Sequence, residues 1–124
     1  MEHLSDRGQV RTILIVDDEP VLRMVAADFF VDTGFEVLEA GSADEAMLFL
    51  EARSDIAGVF TDVQMPGSID GVELAIVAAL RWPKIRLIVT SGNGKPVTRP
   101  LPRQAVFVSK PYNLDGIARL LRAA

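Results

Sequence analysis

Four groups of polar residues close apolar runs in this chain, and their types suggest one kind of chemistry. Asp17 and Asp18 follow TILIV at 12–16, and Asp62 follows AGVFT at 57–61. Thr90 and Ser91 end the run that starts at Ile85, and Lys110 comes just after AVFV at 105–108. Brought together, they would put three carboxylates, a hydroxyl and an ammonium in one place. Two unit charges 4 Å apart repel by about 4 kcal/mol at an effective dielectric of about 20. Three carboxylates sharing a crevice therefore need a cation or a lysine beside them. An all-oxygen site with few protein ligands, open to water and phosphate oxygens, suits Mg²⁺. Each residue alone has a plainer use. An Asp at a strand end is commonly a turn former or cap, and Asp18 is placed to cap a following helix. Lys110 alone is an ordinary solvated lysine.

The chemistry depends on elements that bring these groups together. Residues 12–16 form a β-branched run that predicts a buried strand. Pro20 suits the first turn of a helix running to about residue 33, with Gly34 as its stop. Leu22, Val25, Phe29 and Phe30 supply helical apolar spacing within it. A second strand lies within 35–40, and Ser42 with Glu45 forms a capping box opening a helix to about residue 53. A third strand at 57–61 leads into a loop, 62–71, that holds Pro66, Gly67 and Gly71. A helix over 72–82 is closed by Pro83. Strands follow at 85–90 and 105–108, and Asn113 caps a last helix to about residue 123.

Strands alternating with helices, each strand nearly continuously apolar, imply a parallel sheet covered on both faces. Right-handed crossovers make it an α/β, flavodoxin-like doubly wound sheet of five strands in the order 2-1-3-4-5. One segment breaks the alternation. Gly92, Gly94, Pro96, Pro100 and Pro102 fall within 91–104, where a helix is due. Interior proline costs a helix about 3 kcal/mol and glycine about 1 kcal/mol, so this fourth helix is expected to be short or absent. The domain is expected over 11–124, after a tail at 1–10. Ligands of such a sheet bind outside the carboxyl ends of the strands, which is where all four polar groups fall.

Composition removes several alternatives. The 124 residues are 49% hydrophobic and 24% charged, which fits one folded domain rather than a disordered chain. There is no cysteine, so disulfides, thiolate zinc sites and cysteine nucleophiles are excluded, and a reducing cytoplasm is the expected location. The longest apolar run, 74–80, is too short to span a bilayer, and the first residues lack the apolar core of a signal peptide. A net charge of -4 argues against nucleic acid as a partner. Arg81, Lys84, Arg86, Lys95, Arg99 and Arg103 gather late in the chain and read as a solvated face. The single histidine, His3, leaves no material for a histidine-based triad or metal site.

The set VDDEP at 16–20, TDVQMP at 61–66, DG at 70–71, TSG at 90–92 and KP at 110–111 resembles the receiver domain of bacterial two-component response regulators, in order and across about 11–122. The resemblance implies a stand-alone, single-domain regulator with Asp62 as phosphoryl acceptor. Asp17 and Asp18 would hold Mg²⁺ with an Asp62 oxygen and the backbone carbonyl of Gln64. Lys110 would pair with Asp62, and the Lys110–Pro111 peptide would be cis. The switch hydroxyl would be Ser91 or Thr90, with the pattern before Gly92 favouring Ser91. Phe107 would be the aromatic that turns inward on activation, unless it is a plain core residue. Val21, Leu22 and Val25 would meet the phosphodonor, unless Val25 is simply core.

The implied partners are a histidine kinase or histidine phosphotransfer protein and a downstream protein, with no membrane or nucleic acid. The implied role is a signalling domain or phosphorelay intermediate or sink, without enzymatic activity beyond its own phosphorylation and dephosphorylation. Two features depart from the family pattern: MPGSIDG is one residue longer, and the fourth helix is largely missing. An aspartate-nucleophile phosphatase is the main alternative, but it would want D-x-D after the first strand, where Asp17 and Asp18 are adjacent. A flavin module would want a phosphate loop there, and two acids would repel the phosphate.

Overall fold

Apolar runs pair side by side in a computed structural model that describes residues 11–65, 67–91 and 99–122. The strands are β1 (Thr12–Val16), β2 (Glu36–Ala40), β3 (Ile56–Asp62), β4 (Arg86–Ser91) and β5 (Ala105–Ser109). They form one parallel sheet in the order β2-β1-β3-β4-β5, as the alternating pattern predicts. Interior β1 is buried along its whole length, whereas the edge strands β2 and β5 are only partly covered.

The helices are α1 (Pro20–Asp32), α2 (Ala43–Ala52), α3 (Gly71–Arg81) and α4 (Leu114–Arg122). Successive strand residues face opposite sides, which divides the core in two. Leu14, Val16, Val59, Leu87 and Val89 pack under α2 and α3. Ile13, Ile15, Phe60 and Ile88 pack under α1 and α4. Phe30 centres this second half, edge-on to Phe29, Phe35 and Phe60 at 5.4 to 6.2 Å.

The buried face of α1 differs from the expected one. Ala26, Ala27 and Phe30 face the sheet, while Val21, Leu22 and Val25 are 66%, 47% and 53% exposed. Small alanines let the helix lie close against the strands, and the larger aliphatics are left outside. Val25 is therefore not core. Asp18 caps nothing either: the residue before α1 is Glu19, whose side chain makes no cap, and Pro20 occupies the first turn.

Other helix starts follow local chemistry. The Ser42 hydroxyl accepts from Glu45 N, and the Glu45 carboxylate accepts from Gly41 N at 2.7 Å, one residue before the expected partner. Asp70 caps α3 by accepting from Glu73 N, so that helix begins at Gly71. Asn113 accepts from Asp115 N and Gly116 N at the start of α4.

The longer loop after β3 is anchored rather than loose. Gly67 adopts φ +120°, a conformation that side-chain-bearing residues rarely adopt, and Ser68 donates from both its N–H and its hydroxyl to Asp44 at the start of α2. Arg99 forms an ion pair with Asp70. The expected tail and residues 92–98 of the helix-poor segment lie outside the described residues. Its described remainder, 99–104, is neither helix nor strand.

Candidate functional site

Backbone pairing carries the polar residues past the ends of the strands. Asp17 N donates to Ala40 O at 3.1 Å, Val63 N to Thr90 O at 2.8 Å, and Lys110 N to Ser91 O at 3.0 Å. Main-chain hydrogen bonds thus set the rim of a crevice at the carboxyl end of the sheet. Asp62 lies in it with both oxygens engaged. Lys110 Nζ donates to Oδ2 at 2.9 Å, and Gln64 N donates to Oδ1 at 3.2 Å. The Lys110–Pro111 peptide is cis.

Asp17 is nearly buried. Its Oδ1 accepts from Glu19 N at 2.9 Å, and Arg23, itself paired with Glu39, donates to its carbonyl at 2.7 Å. Burial raises the Asp17 carboxyl above its ordinary range, and the charges of Asp62 and Asp18 add to this against the Glu19 N–H and Lys110. Burial would lower the Lys110 ammonium, but Asp62 and Asp17 outweigh it and hold the group above its usual value. Tyr112 stands edge-on to Phe60 at 5.3 Å. Its hydroxyl is raised by burial, with Asp17 and Asp62 reinforcing and Lys110 opposing.

The two candidate hydroxyls sit on different faces. Thr90 is the register partner of Asp62, so its side chain shares the α1/α4 face with Asp62. Its Oγ1 is buried and has no hydrogen-bond partner. Ser91, also buried, follows Leu87 and Val89 onto the α2/α3 face, one residue beyond the Asp62 register. Phe107 is 42% exposed on the edge strand, so it is not a core phenylalanine.

Two supporting residues, Arg23 and Tyr112, escaped the sequence reading, and the packing role of Gly71 did too. Only Gly71 left a signal, the DG pair. A Cβ there would lie 1.8 Å from the Asp62 carbonyl oxygen, so no side chain fits. Gly71 N also donates to Val63 O at 2.8 Å. The capping Asp70 and the close-packed Gly71 together press the first turn of α3 against the residue below the crevice.

Asp17 and Asp62 are thus brought together around Lys110, with Asp18 exposed beside them. Among the described residues, no three His, Cys, Asp or Glu side chains close into a ligand set for a metal. The donor chemistry nevertheless fits Mg²⁺: all-oxygen donors, and a buried carboxylate whose charge is disfavoured by burial and by two neighbouring acids.

The family profile of the response regulator receiver domain matches residues 13–122. The chain belongs to that family. The receiver domain is 33% identical over 116 residues to the nitrogen assimilation regulatory protein NtrX of Azorhizobium caulinodans, covering 90% of this chain and 25% of that protein. It is 31% identical over 126 residues to the sensor kinase CckA of Brucella abortus, covering 98% of this chain and 13% of the kinase. The chain thus spans a quarter or less of the length of these relatives. Among solved structures, it resembles a receiver protein of Sinorhizobium medicae with a TM-score of 0.77 and 26% identity, over 94% of this chain and 98% of that one. It also resembles TrrA of Thermotoga maritima in complex with Mg²⁺ and BeF, with a TM-score of 0.78 and 25% identity, over 89% and 95% of the two chains. Among the described residues, no helix of the receiver is long and apolar enough to cross a membrane.

Proposed function

We propose that this receiver domain accepts a phosphoryl group on Asp62, in a Mg²⁺-dependent reaction, from the phosphohistidine of a kinase or phosphotransfer protein in the cytoplasm. The observation that carries this reading is the Asp62 carboxylate at the end of β3, held by Lys110 Nζ at 2.9 Å beside the buried Asp17. An Asp62 oxygen attacks the phosphorus, the bond from phosphorus to the histidine nitrogen breaks, and an acyl phosphate forms. Water later cleaves that acyl phosphate and restores the carboxylate.

Asp17, Asp18, an Asp62 oxygen and the Gln64 carbonyl are the groups that would hold Mg²⁺. When bound, the metal supplies positive charge for the phosphoryl oxygens. Lys110 moves its hydrogen bond from Asp62 to a phosphoryl oxygen and neutralises charge there, so the residues act by positioning and electrostatics. The switch hydroxyl comes from the end of β4, either Thr90, which shares the Asp62 face, or Ser91 one residue beyond it, and Phe107 is the aromatic that follows it inward. Val21, Leu22 and Val25 offer the exposed apolar surface beside the crevice for the phosphodonor, joined by exposed Met24. The loaded domain signals through a downstream protein or passes the group along a relay. The complex of the TrrA neighbour with Mg²⁺ and BeF supports the metal assignment.

Intact mass after acetyl phosphate treatment tests the reading. Wild type should gain one phosphoryl group only with Mg²⁺ present, and Asp62→Asn should gain none. A phosphorylated Asp62→Asn protein sinks the assignment.

A further inference from the structure

We propose that a second site, a basic cleft at the amino ends of the strands, binds a nucleotide-sized organic phosphate. A cavity of about 800 Å³ opens there, within the range of roughly 300–1,000 Å³ typical of small-molecule pockets. Its wall carries Arg11, Arg53, Arg81, Lys84, Arg86 and Trp82, drawn from three separate segments, and only one carboxylate, Asp55. On a chain of net charge -4, this is a local reversal of sign. Glu36 and Glu51 also pair with Arg53 and Arg81 from outside that wall, which leaves five cations beside three acids.

Three of the cations, Arg11, Arg53 and Arg81, are held in place by contacts within the protein. Arg53 is fixed by Asp55 at 2.6 Å and Glu36 at 3.3 Å, and Arg81 by Glu51 at 2.9 Å. Arg11 donates to the carbonyl of Arg122 at 2.7 Å. Lys84 is exposed and pairs with no carboxylate among the described residues. Guanidinium groups suit planar, forked recognition of phosphate, and preorganisation lowers the entropy lost on binding.

The ligand's other half is read from the apolar wall. Trp82 lines the cavity with Pro83 and Ile85, and the Arg81 guanidinium lies 4.5 Å from the centre of its ring. An apolar wall of Trp82, Pro83 and Ile85 beside cations matches a molecule that joins a flat base to phosphates. The cleft is reached at Ile56, the first residue of β3, and Asp62 is the last. At about 3.3 Å per residue they stand roughly 20 Å apart. Neither site depends on the other for its reading.

Trp82 is the sole tryptophan, so its fluorescence, with amide NMR shifts, reports binding directly. ATP, pyrophosphate, adenosine and a Glu-rich peptide are titrated in EDTA, which keeps the acidic end metal-free. ATP should bind saturably, with pyrophosphate and adenosine each weaker by about tenfold or more. Lys84→Glu, an exposed substitution, should weaken ATP by about tenfold, and Asp62→Asn should leave it unchanged. No saturable response at millimolar ATP overturns the proposal. So does unaltered affinity in Lys84→Glu, pyrophosphate binding as tightly as ATP, or the peptide binding where ATP does not.

Discussion

Single atoms decide much of the proposed chemistry. The Thr90 Oγ1 is buried without a partner beside Asp62, and an unsatisfied buried polar atom costs about 1–3 kcal/mol. Valine has the same shape without that atom. Thr90→Val should therefore raise the unfolding free energy by about 1 kcal/mol in urea titrations of the metal-free protein. A loss of similar size would show that the hydroxyl is bonded after all. Gly71 works in the opposite sense, since a methyl there would overlap the Asp62 carbonyl oxygen at 1.8 Å. Gly71→Ala should destabilise by about 2–3 kcal/mol and slow acetyl phosphate labelling. Wild-type stability and labelling in that variant would contradict the close contact.

At the scale of elements, the additional loop residue is held by hydrogen bonds. Ser68 bonds keep the Asp44 carboxyl below its usual range. A lowered folded value means the contact adds stability above the unfolded carboxyl pKa of 3.8 and loses it as pH falls through the folded value. Ser68→Ala should be less stable than wild type at neutral pH, and the difference should close as pH falls below 3.8 and on through the lowered folded value. Melting curves across pH check this; a constant gap would exclude the carboxylate as its source.

Helix α1 presents the other element-scale test. Leu22 is about half exposed, so Leu22→Asp should change stability by less than about 0.5 kcal/mol. It should slow transfer from a phosphohistidine donor several-fold and leave acetyl phosphate labelling intact. Equal slowing of both reactions would place Leu22 in the crevice rather than at a docking surface.

For the molecule as a whole, the sheet was legible because strands buried on both faces must be nearly apolar throughout, as TILIV is, and because Pro20, Ser42 and Asn113 mark helix starts by local chemistry; the Asp70 cap was not read. Asp17 and Asp62 were legible because each directly follows such a run, and Lys110 because it lies one residue beyond AVFV. What escaped was tertiary. Leu22 and Val25 have the spacing of a core stripe, but Ala26, Ala27 and Phe30 take that place, since a helix packing closely on a sheet selects small residues over apolar count. Gly71 reads as a turn former until Asp62 is seen against it. Arg11, Arg53 and Lys84 are separated along the chain, so their common cleft leaves no trace in spacing.

The contact between Gly71 and Asp62 also makes the crevice mechanically lopsided. With no room for another atom between the first turn of α3 and the Asp62 carbonyl, the β3 side is a fixed jaw that cannot recoil when charge arrives on the carboxylate. The opposing jaw is the end of β4 and β5, joined there by the bond from Lys110 N to Ser91 O. If Asp62 is loaded as proposed, displacement should run one way, toward the edge strand that carries exposed Phe107, and the far side of the sheet should register little of it.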